Sequence, residues 1–171
     1  MLLITFFFLP AYAVDLEGGV RDIQRHQQWR SMEFRNPQFG FFLAARASTE
    51  DKDKSANLNI TIPLDNNQCK ETIELVFKLT TPAKEDIDQD GLVEFQLDER
   101  PPKLLSSKVV MANGDYFVFM RINESFRPLN LSGHRSMLAN ARGWGVAEFS
   151  LLGFDEAWGK ARNSCNAFVA P

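Results

Sequence analysis

Hydrophobic and polar residues alternate with a period of two along most of this 171-residue chain. The alternation is most regular in residues 55–64, 72–79 and 92–99, where Leu, Ile, Val or Phe occupies every second position. Such a pattern is typical of β-strands that bury one face and expose the other. Less regular apolar segments suggest further strands at residues 29–34, 39–47, 107–112, 115–122 and 145–152.

Turn-forming residues separate these segments. They include Asp90-Gly91 and Asn113-Gly114, dipeptides that favour tight reversals of the chain. The charged, apolar-poor residues 48–57 predict an exposed loop. Seven or eight short strands at this spacing predict a mainly β protein, a single antiparallel β-sandwich. No repeat or linker is visible in the sequence, so we expect one domain.

The end of the chain follows a helical period instead. Phe154, Ala157, Trp158, Ala161 and Cys165 recur at the spacing that places them on one face of an α-helix. A glycine precedes this segment, and two acidic residues stand where they favour a helix N-terminus. We therefore expect a short C-terminal helix that packs on the sandwich.

The first thirteen residues, MLLITFFFLPAYA, have the pattern of a signal peptide. An apolar run at residues 2–9 is followed by a proline and by Ala-Tyr-Ala, the small-residue pattern of a cleavage site. The run is too short to span a bilayer, which takes about 20 apolar residues. No basic residue precedes it, so an N-terminal strand and a misassigned start codon are alternatives. We expect residues 1–13 to be removed, leaving a domain of residues 14–171 without a transmembrane anchor, periplasmic or secreted.

The chain contains two cysteines, Cys69 and Cys165. A small, even number of cysteines in an exported protein suggests a structural disulfide. A bond that closes a loop of roughly a hundred residues would stabilise the fold by about 4.7 kcal/mol in the chain-entropy view. It would hold the end of the C-terminal helix on the sandwich. The alternative is a pair of unrelated buried thiols.

The C-terminal segment also resembles that of a known family. Its pattern is F-x-L-x-G-F-x-x-A followed by a cysteine, carried here by Phe149, Leu151, Gly153, Phe154, Ala157 and Cys165. With the order of strands before it, the segment resembles small exported bacterial β-sandwich proteins of the invasion-associated locus B type. It is also similar in outline to periplasmic accessory proteins of type VI secretion. The resemblance implies an envelope protein without a known catalytic centre.

The composition is that of a globular protein, 44% hydrophobic and 24% charged, with a net charge of −3. An acidic chain of this kind offers no basic surface for nucleic acid, so we expect no nucleic-acid partner.

The most specific local motif is DIDQDG at residues 86–91. Asp86, Asp88 and Asp90 alternate and are followed by Gly91, as at the start of a calcium-binding loop. Leu97 stands where such a loop needs a glutamate. Calcium is therefore a weak hypothesis, with a solvent-exposed turn as the alternative. We expect no other cofactor, because the two cysteines are expected to be oxidised and the two remaining histidines make no zinc ligand set.

His26 and His134 are the two histidines available for acid–base chemistry. His134 has Ser132 and Ser136 nearby, but the segment lacks the G-x-S-x-G form of a strained nucleophile turn. We expect a surface loop there and predict no catalytic residue.

Residues 120–144 form a locally basic segment in this acidic chain. Four arginines and a tryptophan are candidates for contact with an acidic partner or glycan: Arg121, Arg127, Arg135, Arg142 and Trp144. A long surface connection is the alternative interpretation. These patterns predict a non-catalytic periplasmic protein that binds a protein or an envelope component. An inhibitor or immunity protein that neutralises a secreted enzyme, and a hydrolase with an unrecognised site, are the other hypotheses.

Overall fold

The computed structural model describes residues 19–65, 68–123 and 126–169. These residues form eleven strands, one short 3-10 helix (η1) and one α-helix (α1). Their bounds are β1 (Val20–His26), β2 (Trp29–Arg35), β3 (Phe42–Glu50), β4 (Ala56–Asp65), β5 (Gln68–Cys69), β6 (Thr72–Lys78), β7 (Ile87–Leu97), β8 (Lys103–Met111), β9 (Phe117–Ile122), η1 (Pro128–Leu131), β10 (Ser136–Ala141), β11 (Gly145–Ser150) and α1 (Phe154–Asn166).

All eleven strands belong to one antiparallel sheet. Ten of them follow the order β1-β2-β3-β4-β6-β9-β8-β7-β10-β11, and the two-residue β5 pairs with the end of β4. The prediction of a mainly β protein with a C-terminal helix is confirmed. The strand count exceeds the predicted seven or eight because β1, β5 and β10 lack a regular apolar alternation in the sequence.

The sheet curves strongly, so strands that are distant in the hydrogen-bonding order face each other across the core. A side chain added at Gly145 in β11 would meet the ring of Phe77 in β6 at 3.2 Å. Beyond β11, the carbonyl oxygen of Leu152 accepts a hydrogen bond from the N–H of Gln28 in the β1–β2 turn, at 3.3 Å. The two ends of the strand order therefore come together and enclose one core.

The enclosed face of the sheet is almost wholly apolar. Leu58, Ile60 and Ile62, the alternating residues of the most regular predicted strand, are fully buried in β4. In β7, Val93 and Phe95 are buried in the same way, while Glu94 between them points to the other face. The period-two pattern therefore identified the core face of these strands correctly.

Helix α1 packs against β1 to β4 on the core side. Four of the five residues predicted for its buried face are buried, and Trp158 is partly covered. The four buried residues are Phe154, Ala157, Ala161 and Cys165. Opposite the helix, β3 contributes the small buried side chains of Ala45 and Ala47, which leave room for it. The ring of Phe154 meets Trp29 of β2 edge-on, with centroids 5.0 Å apart.

The predicted disulfide is present. Cys69 in β5 is bonded to Cys165 in the last turn of α1, with their Cα atoms 6.0 Å apart and a separation of 96 positions in the sequence. The bond therefore connects the end of the helix to the end of β4, which pairs with β5.

The predicted exposed loop at residues 48–57 is wrong for half of its length, and only residues 52–55 form an exposed turn. Strand β3 continues to Glu50, and β4 begins at Ala56. The turn between them closes around Asp51, which is 5% exposed and accepts the N–H groups of Ser55 at 2.7 Å and Ala56 at 3.0 Å. Because charged residues occupy the tip of this turn, the sequence suggested a long exposed loop rather than a short turn with a buried aspartate.

The predicted turn at Asp90-Gly91 is also wrong, whereas the hairpin at Asn113-Gly114 is confirmed. Asp90 and Gly91 lie inside β7, where a side chain at Gly91 would crowd Val109 of β8. This glycine therefore permits close packing between strands. The predicted signal peptide of residues 1–13, with a mature start at Val14, lies outside the described residues. Within those residues, no helix is long and apolar enough to cross a membrane.

Candidate binding surface

The five residues of the proposed arginine surface lie on four different elements. Arg121 is in β9, Arg127 precedes η1, and Arg135 precedes β10. Arg142 and the partly buried Trp144 belong to the β10–β11 turn. Arg135 and Arg142 stand at opposite ends of β10, roughly 20 Å apart at about 3.3 Å per strand residue. The structure does not gather these residues into one cluster, because β10 runs through the segment.

Arg121 lies on the face of the sheet that points away from the core. In the sheet, Arg121 is paired with Glu74 of β6 on one side and with Lys108 of β8 on the other. Lys108 is paired in turn with Asp90 of β7. Partial burial lowers the pKa of the Arg121 guanidinium. An open concavity of about 580 Å³ beside this row is lined by Arg121, Lys108, Asp90 and neighbouring residues of β7 to β9.

The three aspartates of the calcium hypothesis do not converge. Asp86 precedes β7, and its carboxylate accepts the backbone N–H of Asn113 at 2.8 Å. The Asp88 carboxylate forms an ion pair with the Lys108 ammonium at 2.6 Å, and the Asp90 carboxylate lies 3.9 Å from the same ammonium. Where the structure describes the chain, no group of three or more His, Cys, Asp or Glu side chains is placed to hold a metal ion. An extended strand keeps the side chains at alternate positions apart from one another, whereas a metal-binding loop would bring them together.

Asp98, the residue after β7, holds the loop that contains His134. Its Oδ2 lies 2.7 Å from Nδ1 of His134, and its Oδ1 accepts the N–H groups of Arg135 at 2.9 Å and Ser136 at 3.0 Å. The hydrogen bond with His134, followed by that with the Arg135 backbone, lowers the pKa of Asp98 to about 2. The predicted surface loop is present, but its imidazole is largely buried, with 10% of the side chain exposed.

A second open concavity, of about 600 Å³, adjoins this pair and is lined by Asp98, Glu99, Arg100, Arg135 and Ser136. A carboxylate that orients a histidine through Nδ1 is one part of a hydrolytic triad. The other part is a nucleophile against the second ring nitrogen. Here the Ser136 hydroxyl lies 3.5 Å from Oδ1 of Asp98 and donates to it. The hydrogen bonds of Asp98 account for the fixed shape of the loop. They do not by themselves supply a nucleophile for bond cleavage.

Among the residues that the structure describes, the most exposed aromatic side chains lie in the β2–β3 connection, residues 36–41, which we call the aromatic loop. Phe39 is 71% exposed and Phe41 is 53% exposed. Their rings are stacked, with centroids 6.4 Å apart and planes at 9°. Two neighbouring phenylalanines that face water are unusual, since large apolar side chains are normally buried.

Hydrogen bonds within the aromatic loop fix its shape. The Asn36 side-chain oxygen accepts the N–H groups of Gln38 at 3.0 Å and Phe39 at 2.8 Å. The Asn36 N–H donates to the Phe41 carbonyl, and the Gly40 N–H donates to the Asn36 carbonyl, both at 2.8 Å. Gly40 adopts a φ of 73°, which glycine tolerates without strain. The loop therefore presents its rings on a preorganised backbone.

A third exposed phenylalanine, Phe168, follows α1 and is linked to the loop through Arg35. Phe168 is 40% exposed and stacks on Phe42 of β3, with centroids 4.5 Å apart. The Arg35 guanidinium covers the Phe168 ring at 5.4 Å and donates to the Gly40 carbonyl at 3.5 Å. We call Phe39, Phe41 and Phe168 together the aromatic surface.

The sequence interpretation missed this surface. The run Phe39-Gly40-Phe41-Phe42 suggested the start of a buried strand, but β3 begins only at Phe42. Asn36-Pro37 does indicate a turn in the sequence, and a turn is present there. The signal that could have extended this turn to Phe41 is the glycine between the two exposed phenylalanines.

No protein-family model, no curated protein and no solved structure matches the chain.

Proposed function

We propose that this chain is a non-catalytic accessory protein of the bacterial envelope, exported to the periplasm, which binds an envelope component through the aromatic loop. The observation that carries the proposal is the stacked, exposed pair Phe39 and Phe41 on a loop fixed by its own hydrogen bonds. The disulfide supports an oxidising compartment. The resemblance of the C-terminal segment to exported envelope proteins supports the same location.

Preorganised aromatic side chains are effective binding groups. Burying a phenylalanine gains free energy in proportion to the apolar area removed from water, about 25 cal/mol per Å². A loop that already has its bound shape loses little conformational entropy on binding. Aromatic residues, phenylalanine among them, are accordingly enriched in the buried core of protein interfaces.

Site-specific photo-crosslinking in the producing cells tests the proposal. A benzophenone-bearing residue replaces Phe39, and the matched control places it at Leu152, which is 48% exposed near the start of α1. We expect an adduct with an envelope component from position 39 and little from position 152. Equal labelling at the two positions, or none at position 39, would reject the aromatic loop as the binding site.

The arginine segment is a second proposed contact, for an acidic protein partner. Arg127, Arg135 and Arg142 are exposed, so glutamate at all three should leave thermal stability unchanged. Loss of a protein adduct from position 39 in this variant would show that one partner spans both surfaces. An unchanged adduct would exclude the arginines from that contact.

An inhibitor or immunity protein would use the same aromatic loop as its protruding element, because the β3–β4 turn is short and closed around Asp51. Neutralisation of a secreted enzyme, lost when Phe39 and Phe41 are replaced by serine, would distinguish that role from an adaptor.

The hydrolase hypothesis is favoured by one observation, the hydrogen bond between Asp98 and His134 beside an open concavity. We expect the purified chain to hydrolyse neither ester nor peptide substrates above background. Hydrolysis that disappears in His134→Gln but persists in Phe39→Ser would favour the enzyme over the binding protein.

A further inference from the structure

Strands β7, β8 and β9 carry an open site on the sheet face that points away from the core. Asp90, Lys108 and Arg121 are neighbours in one row across these strands. The concavity beside the row, about 580 Å³, lies in the range of roughly 300–1,000 Å³ that small-molecule sites occupy. It is separate from the aromatic loop, because β9 stands three places from β3 in the strand order.

The charges around the concavity balance one another. The Lys108 ammonium pairs with the Asp88 carboxylate at 2.6 Å and lies 3.9 Å from that of Asp90. Arg121 is paired across the sheet with Glu74 of β6, and burial raises the pKa of that carboxyl. A phosphate or a nucleic acid needs an excess of positive charge, and these residues offer none. A metal ion is not favoured either, since Asp88 and Asp90 already face an ammonium.

The hydrogen-bonding groups of the concavity include both donors and acceptors. The side chain of Asp90 is 95% exposed and that of Lys108 is 49% exposed, so a ligand can reach both. The Asn123 amide donates to the Ser106 hydroxyl at 3.0 Å, which holds both groups beside the row. A carboxylate only accepts, an ammonium only donates, and an amide does both. Such a mixed set matches hydroxyl groups, which also donate and accept.

Apolar side chains flank the charged row. Leu92 lines the concavity and is 40% exposed, and Phe119, two residues before Arg121 on the same face of β9, is 37% exposed. The ring of a sugar presents C–H groups beside its hydroxyls, so it packs on apolar side chains while its hydroxyls bond to polar ones. The core of a protein interface is depleted of charged residues. Here a charged row crosses the middle of the site, which favours a saccharide over a protein.

We propose that this concavity binds a neutral saccharide. Asp90 and Lys108 bond to its hydroxyls, and Leu92 and Phe119 pack against the faces of its rings. The site is additional to the one in the proposed function and does not depend on the aromatic loop. Neutral glucans and polymers of N-acetylglucosamine share this chemistry, so the test uses one of each.

Nuclear magnetic resonance titration of the full chain tests the proposal. The probes are cellotetraose, which is a neutral glucan, chitotetraose, which is an N-acetylglucosamine tetramer, and tetragalacturonate as the anionic comparison. The backbone amide signals of Lys108 and Asn123 report on the concavity, and that of Phe39 reports on the aromatic loop. Asp90→Ala removes an exposed acceptor, and Asp53→Ala, in the exposed β3–β4 turn, is its matched control.

We expect the signals of Lys108 and Asn123 to shift with at least one neutral tetrasaccharide, with a Kd of about 1 mM because an open site buries little of its ligand. The affinity should change little between low and high salt, since the ligand carries no charge. Asp90→Ala should weaken binding by about tenfold, whereas Asp53→Ala should not. Preference for cellotetraose would identify a glucan, and preference for chitotetraose an aminosugar polymer.

The proposal is overturned by no shift with either neutral probe, by shifts at Phe39 instead, or by shifts that Asp90→Ala leaves unchanged. Binding of tetragalacturonate alone would mark an anion site and overturn it as well. A benzophenone-bearing residue at position 119 in the producing cells tests the protein alternative. A protein adduct there, without saccharide shifts, would mark a protein interface.

The results at the two sites are distinguishable. Saccharide shifts at Lys108 without an adduct from position 39 would keep the concavity and reject the aromatic loop. An adduct from position 39 without saccharide shifts would keep the aromatic loop and reject the concavity.

Discussion

Gly153, at the residue scale, joins β11 to α1 in a conformation that only glycine adopts readily. Its φ is 89°, and a Cβ at this position would overlap the carbonyl oxygen of His26 in β1. Gly159, in the middle of α1, has nothing within 4 Å of its Cβ position and an ordinary helical φ. The local geometry therefore requires glycine at position 153 but not at position 159. The sequence alone does not reveal this difference.

Replacing each glycine by alanine should change stability in opposite directions. Gly153→Ala should lower the free energy of unfolding by about 2 kcal/mol or more, because strain and overlap act together. Gly159→Ala should raise it by roughly 0.5–1 kcal/mol through helix propensity. Urea denaturation of both variants measures the difference. Equal effects would contradict the close approach of Gly153 to His26.

Asp98 links folding stability to acid pH. Its pKa of about 2 in the folded chain lies below the ordinary value of 3.8, so folding favours the ionised carboxylate. The contribution is present above the ordinary pKa and is lost as pH falls from about 4 to about 2. The stability difference between the unsubstituted chain and Asp98→Asn should therefore narrow over that interval.

Denaturation midpoints measured across this pH range check the narrowing. Asp53→Asn, an exposed position in the β3–β4 turn, is the control and should follow the unsubstituted chain at every pH. A difference for Asp98→Asn that stays constant down to about pH 2 would show that the carboxylate is not stabilised as described.

At the scale of elements, α1 was predictable and β10 was not. The helix is marked by a 3.6-residue apolar period, a preceding glycine and acidic residues in its first turn. The strand Ser136–Ala141 has the sequence SMLANA, in which the small Ala139 and Ala141 supply two of three buried positions. Because alanine is only weakly hydrophobic, the alternation in β10 was not recognised as a strand. The segment was interpreted from its arginines instead.

The disulfide is the element-scale constraint on α1. Replacing both Cys69 and Cys165 by alanine should reduce the free energy of unfolding by about 3–5 kcal/mol, with the chain-entropy value for a loop of this length near the upper end. Core amides of β4 and β6 that exchange through global unfolding should lose protection by that same free energy, and the last turn of α1 should lose protection as well through local opening. Unchanged protection in β4 and β6 would show that the bond holds only the helix end.

At the scale of the whole molecule, period-two alternation predicted which face of the regularly alternating strands is buried but not how the sheet closes. Strand order and curvature depend on contacts such as Gly145 against Phe77, which lie far apart in sequence. The same limit applies to the binding surface. Phe39 and Phe42 look equivalent in the sequence, yet one is 71% exposed and the other 6%, because β3 begins between them.

The aromatic loop should contribute to binding and not to stability. Phe39→Ser with Phe41→Ser removes two exposed rings, so the free energy of unfolding should change by less than about 0.5 kcal/mol. Phe42→Ser, at a buried neighbouring position, should cost about 3 kcal/mol or more. Thermal denaturation of the variants measures both effects. A large destabilisation by the loop substitutions would mean that the rings serve the fold.

The most direct test of the account is photo-crosslinking from position 39 in the producing cells, compared with position 152. We predict an adduct with an envelope component from position 39 that is absent from position 152 and is lost when Phe41 is replaced by serine. An adduct of equal yield from both positions, or none from position 39, would contradict the central claim that the aromatic loop is the binding site.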